Sequence, residues 1–204
     1  MRVIALEGPS YAGKSSAVAH LRRQGVEDRA FVSDCYVDHI ANRRDIPPAR
    51  TTSAAAQLAA FETFMSIEGL RVRRALASTK TVVILDRSVD TLLAHAHCLD
   101  ALFGFGVQHQ LRDRLQELPF LRPDHTFYLD VPAEVLALRR KAAGHTAAEP
   151  DYFLHEPAFL DHVRDFFVSG SQQPVSRQVT AIPADATPLE VAQAVEVLIT
   201  QWTR

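Results

Sequence analysis

The chain has 204 residues, 47% of them apolar and 23% charged, and a formal net charge of −2. This is the make-up of one globular domain with room for a full core. It offers no electrostatic case for nucleic acid or a membrane surface as partner. Two cysteines, Cys35 and Cys98, make no disulfide framework. With no secretory leader and no apolar run of membrane-spanning length, the expected compartment is a reducing cytosol.

The first predicted element is a strand over 2–7, which contains the apolar run Val3-Ile4-Ala5-Leu6 and ends at Glu7. Gly8-Pro9-Ser10-Tyr11-Ala12-Gly13-Lys14-Ser15 follows at once, and a helix over 14–24 comes next, with Gly25 placed to end it. The octet reads G-x-x-x-x-G-K-S with a strand before and a helix behind, the context a phosphate-binding loop requires. Backbone N–H groups of such a loop turn inward as an anion nest, and the helix N-terminus adds partial positive charge. A nucleoside triphosphate such as ATP is therefore expected on Gly8, Ser10, Tyr11, Ala12, Gly13, Lys14, Ser15 and Ser16. Lys14 reaches the outer phosphates and the Ser15 hydroxyl ligates Mg²⁺. Lysine occurs elsewhere only at 80 and 141, so Lys14 is not one of a crowd.

Ala30-Phe31-Val32-Ser33 predicts a short second strand closed by Asp34, and 41–53, rich in Pro, Arg, Thr and Ser, predicts a loop. Arg43, Arg44 and Arg50 there are read as solvated, with contact to an anionic acceptor as the rival. A long helix is expected from Ala54 to Ser78, with Leu58, Phe61, Met65, Val72 and Leu76 at helical spacing. Thr81-Val82-Val83-Ile84-Leu85 predicts a buried central strand, and Asp86-Arg87-Ser88 follows it directly. Helices are expected over 89–104 and 107–118, a strand over 125–129, a helix over 133–142 and an aperiodic, mobile stretch over 143–151. A helix over 159–167, a strand over 178–182 and a helix over 189–202 close the chain. Strand and helix alternate, which predicts an α/β fold with a parallel sheet covered on both faces and no linker dividing it.

In such a sheet the strand ends converge on one edge, where ligands bind. Asp86 is placed to hold the Mg²⁺ shell and Arg87 to face the transferring group. Asp34 is the best-placed carboxylate to take a proton from an attacking hydroxyl, with Asp38 as fallback and a plain turn residue as the rival reading. Arg139-Arg140-Lys141 precedes the mobile stretch, where cations on a closing lid neutralise developing charge, the rival being a basic last helical turn. His95 and His97 share no helix face and are not expected to hold a metal; His155 and His162 are read as surface residues.

With these residues placed, the chain resembles the thymidylate kinase group of P-loop kinases. Lys80 to His97 is similar to that group's strand, D-R-Y and following helix, and Arg122 to Arg139 to its fourth strand and the helix entering the lid. The D-R-S form is similar to the E-R-S of deoxynucleoside kinases. The resemblance implies a P-loop NTPase fold with a five-stranded parallel sheet and a short lid over about 139–155. It implies ATP with Mg²⁺, Arg139 acting on the transferring group with Arg140 beside it as a nucleotide ligand, and a homodimer built on long helices. The departures bear on the acceptor. Ser10 stands where an acidic residue is usual, Ser33 to Asp38 replaces R-E-P-G-G-T, and a substrate-binding Arg falls near Phe64. A second lid Arg falls near Ala143 or Gly144. The expected activity is therefore ATP-dependent transfer to a hydroxyl of a nucleoside-like or other small metabolite. The alternatives are a nucleoside monophosphate kinase and a nucleotide-binding regulatory ATPase.

Overall fold

The computed structural model describes residues 1–145, 152–169 and 172–203. The part of the expected lid at 146–151 and the side chain of Arg43 lie outside the described residues. Five strands, β1 (Arg2–Glu7), β2 (Ala30–Ser33), β3 (Val82–Asp86), β4 (His125–Asp130) and β5 (Val179–Pro183), form one sheet in the order β2-β3-β1-β4-β5. Every pairing is parallel. The strands read as unbroken apolar runs because both faces are covered. Alternation then decides which side each residue serves. Ile4, Leu6 and Ile84 pack with α1 (Lys14–Arg23), α5 (Ala133–Ala142) and α7 (Pro188–Thr203). Val3, Ala5, Val83 and Leu85 pack against Ala75 of α2 (Ala54–Ala77). Beyond them, α3 (Val89–Phe103), α4 (Gln108–Glu117) and α6 (Pro157–Val168) close that side around Leu93, Leu111, Phe166 and Tyr128.

The register lines up the strand tips. Leu6 pairs with both Asp86 and Phe127, and Glu7 with Tyr128, so the loops after β1, β3 and β4 emerge together. Ser53 caps α2 by accepting from Ala56 N at 3.2 Å, and Ser88 caps α3 through Asp90 N at 3.2 Å.

One part of the helical pattern needs correction. Leu76 is 69% exposed, and the buried stripe of α2 includes Gln57, Glu68 and Arg71 alongside Phe61 and Met65. Leucine at helical spacing suggested the wrong edge of the stripe, because three polar residues occupy core positions. No described helix is long and apolar enough to cross a membrane.

Candidate active site

The loop after β1 is built on unusual backbone angles. Gly8, Tyr11 and Gly13 have φ of 136°, 65° and 105°. A Cβ on Gly8 would lie 2.9 Å from the carbonyl oxygen of Leu129, so the loop can approach β4 this closely only with glycine. Gly13 N-caps α1 with no side-chain hydrogen bond, which leaves the first-turn amides of Lys14, Ser15 and Ser16 for an anion. Ser15 and Ser16 are exposed, Ser10 is half-buried and Ala12 is buried.

Lys14 is buried, and its ammonium donates to the carbonyls of Gly8 at 2.8 Å and Pro9 at 2.7 Å. Burial, then the charge of Arg87, push its pKa down to about 7 against the pull of Asp86 and Glu7. Asp86, at the tip of β3, is buried, and its Oδ1 finds no hydrogen-bond partner among the described residues. An orphaned carboxylate oxygen at the tip of β3 and the exposed Ser15 hydroxyl in the first turn of α1 are the donor types a hard cation takes, oxygen from an acid and a hydroxyl. The described residues hold no cluster of three or more His, Cys, Asp or Glu for a metal. Such an ion would therefore take its remaining ligands from phosphate and water.

Arg87 follows at φ 67°, a left-handed conformation that costs a non-glycine residue roughly 1–2 kcal/mol. Three hydrogen bonds hold the turn. Arg87 N donates to Leu6 O at 3.1 Å, Ser88 N to Glu7 Oε1 at 2.6 Å, and Arg71 Nη2 to Arg87 O at 2.7 Å. Glu7 is fully buried and also accepts from the hydroxyls of Ser88 and Thr91. Burial raises its pKa, while Arg87 and these donors lower it. Burial works against the Arg87 charge, but Cys35, Glu7 and Asp86 outweigh it.

Two predicted residues sit differently from expectation. Asp34 lies at the end of β2, yet its Oδ1 is 2.8 Å from Arg22 Nη2 on α1 and the side chain is 43% exposed. Arg139 is a brace. It donates to the carbonyls of Tyr11 and Ala12, both at 3.2 Å, and to those of Ala184 at 2.8 Å and Ala186 at 2.5 Å. The phosphate loop and the chain after β5 both offer carbonyls there, and a planar fork satisfies both. Arg140 stays half-buried one residue further on. His155, expected at the surface, is half-buried. His155 packs against the Tyr11 ring at 5.3 Å between centroids, and the Tyr11 hydroxyl hydrogen-bonds His145 Nδ1. His162 is half-buried against His97 at 5.8 Å.

On the β2–β3 side, side chains fill the space between α2 and α3. Thr51 donates to Gln57 Oε1 at 2.9 Å, and Gln57 Nε2 to His95 Nδ1 at 3.4 Å. His95 Nε2 donates to Ala49 O at 2.7 Å. Burial pushes the His95 pKa down to about 4. Tyr36 meets Phe64 edge to face at 5.8 Å. Arg50 lies over Phe103 at 4.8 Å, and Arg44 is exposed. A separate cleft of about 470 Å³ between α5 and α6 takes Pro9 from the loop, with the Asp130–Arg164 ion pair in its wall, and its lining includes neither Lys14 nor Asp86.

No family model matches the chain. It is 34% identical to a thymidylate kinase of Thermomicrobium roseum over 133 residues, 64% of this chain and 59% of that protein's length. It is 29% identical to a thymidylate kinase of Latilactobacillus sakei over 212 residues, 98% of this chain and 92% of that one. A deoxyadenosine kinase from M. mycoides, solved with bound dATP, shares the fold at a TM-score of 0.69 and 12% identity, covering 97% of this chain and 99% of its own. The chain is thus similar in sequence to thymidylate kinases, of one of which it spans less than two thirds, and it shares its fold with a deoxyadenosine kinase. Its relatives are phosphotransferases.

Four buried residues of this chain are assigned no role in the sequence reading above. Glu7 carries no sequence signal beyond ending a strand. Glu68 and Arg71 sit inside α2 outside its apolar spacing, and their opposite charges three apart on an apolar face are the signal of an internal pair. Asp90, fully buried, accepts from Val175 N at 2.6 Å and Ser176 N at 3.1 Å, and so ties α3 to the segment before β5.

Proposed function

We propose that this kinase transfers the γ-phosphoryl group of ATP to a hydroxyl of a nucleoside-like small molecule. The observation that carries the proposal is that the Asp86–Arg87 turn is held against the end of β1, next to the loop that carries Lys14, with Lys14 feeling both charges and one Asp86 oxygen lacking a partner among the described residues. Lys14 exchanges the carbonyls of Gly8 and Pro9 for β- and γ-phosphate oxygens, and the amides of 14–16 bind the same group. Ser15 and Asp86 would hold Mg²⁺, which supplies charge neutralisation at the phosphates. Arg87 faces the transferring group. The acceptor oxygen forms a bond to the γ-phosphorus as the bond to the β–γ bridging oxygen breaks, and ADP leaves. The acceptor proton goes to Asp34, which must share or leave its pair with Arg22 to take it. Arg139 keeps the phosphate loop and the chain after β5 in register, and it acts on the transferring group only once released from those carbonyls.

A hydroxyl acceptor is favoured over a phosphate by the state of Arg71. Its side chain is fully buried, with donors directed to Ser33, Glu68 and two backbone carbonyls, and so it does not serve as a cation for an incoming monophosphate. The alternative, a nucleoside monophosphate kinase, draws support from the two thymidylate kinase relatives. Incubation with Mg-ATP and a panel of nucleosides and their 5′-monophosphates, followed by ADP release, separates the two. Turnover of nucleosides is expected, and turnover confined to monophosphates rejects the hydroxyl reading.

A further inference from the structure

Arg71, in the interior, ties the tips of β2 and β3 together through a single side chain. Its Nε donates to Ser33 Oγ at 2.8 Å, one residue before Asp34. Its Nη2 donates to Arg87 O at 2.7 Å and reaches Asp86 O at 3.5 Å. Its Nη1 donates to Glu68 Oε2 at 2.9 Å, and its guanidinium carbon lies 4.4 Å from the centre of the Tyr36 ring. Glu68 is buried as completely as Arg71. It accepts from the Tyr36 hydroxyl at 2.9 Å and from Leu121 N at 2.9 Å. Burial, then the Glu68 charge, push the Tyr36 pKa up, so the phenol stays a donor.

The carbonyls of the turn at 86–87 are thus held from α2, while its amides are held from β1 by Leu6 O and Glu7. A left-handed arginine persists only where its surroundings over-determine it. Here the two sets of bonds come from two different elements, α2 and β1.

We infer that Arg71 is the positioning residue that fixes the Asp86–Arg87 turn against the end of β2. The inference rests on the transfer role proposed for Asp86 and Arg87. A lysine in its place keeps the charge but has no planar fork, and it cannot bond Ser33, Glu68 and the Arg87 carbonyl together. The competing view is that the buried pair contributes stability alone. In that case variants lower the melting temperature and leave turnover per folded molecule intact.

The test uses Arg71→Lys and, as a milder change, Tyr36→Phe, which removes only the hydroxyl that orients Glu68. Three quantities are read on folded protein: kcat, ATP affinity, and amide hydrogen exchange at Arg87 and Ser88 without any acceptor. Arg71→Lys should lose about 100-fold in kcat, the scale of an ångström-sized misplacement, with ATP affinity unchanged and faster exchange at both amides. Tyr36→Phe should move kcat and exchange in the same direction by less. Wild-type kcat and exchange in folded Arg71→Lys overturn the inference. If that variant does not fold, wild-type values for both in Tyr36→Phe overturn it. The exchange measurement needs no substrate, so wild-type protein that fails to phosphorylate any acceptor counts against the proposed function, while the exchange data still decide the positioning role.

Discussion

Gly8→Ala isolates the steric demand of the phosphate loop. Alanine at φ 136° meets the left-handed penalty, and its Cβ would lie 2.9 Å from Leu129 O and 3.3 Å from Leu129 Cβ. The nearest obstacle is backbone of a central strand, which cannot swing aside. Gly13→Ala is the matched control. Its φ is 105°, and its added Cβ would meet Val191 Cγ1 at 3.8 Å, an ordinary contact. Both variants carry the conformational cost of about 1–2 kcal/mol. Gly8→Ala alone adds overpacking of about 1–3 kcal/mol. For a chain of this size each kcal/mol shifts Tm by about 2–4 °C. Calorimetric or circular-dichroism melts without nucleotide should therefore place Gly8→Ala below Gly13→Ala by several degrees. Equal melting temperatures would refute the account of Gly8, because they would mean that the approach to Leu129 carries no strain.

Lys14 is held near pKa 7 by burial, against 10.5 unfolded, so between those values the unfolded chain keeps a proton the folded chain has shed. Stability should rise with pH across that window, and Lys14→Met should remove the rise in urea titrations. The same depression predicts proton uptake when ATP binds at pH 8, seen as binding heat that depends on the buffer and is absent in Lys14→Met. His95 is held near pKa 4, against 6.5 unfolded. Its ring resonances should not titrate above pH 5, and the stability lost as pH falls from 6.5 to 4 should be smaller in His95→Gln.

Legibility from sequence followed locality. The loop at 8–15 and the Asp86-Arg87 step were readable because each is a contiguous pattern on a strand end, and the apolar run at 81–85 could only be a central strand. Arg139 could not be recognised as a brace, since its acceptors at 184 and 186 lie 45 and 47 residues away and are backbone atoms without sequence identity. Asp34 follows the end of β2 as its sequence position implies, but the ion pair it makes depends on where Arg22 falls on α1. Glu68 and Arg71 are the sharpest case. Periodicity treats a charged residue as a mark of the solvated face, whereas mutual pairing plus hydrogen bonds to Ser33, Tyr36 and Leu121 N lets both occupy the core.

The strand order also constrains how a nascent chain can fold. β1 and β2 are made first, yet β3 lies between them and they never touch. The glycine loop is thus made before either strand that flanks β1, and β1 has no neighbouring strand until the ribosome has passed residue 86. Until then β1 and β2 are two orphan strands with no ladder to join, and the nucleotide cradle takes shape only when the third strand slots in between.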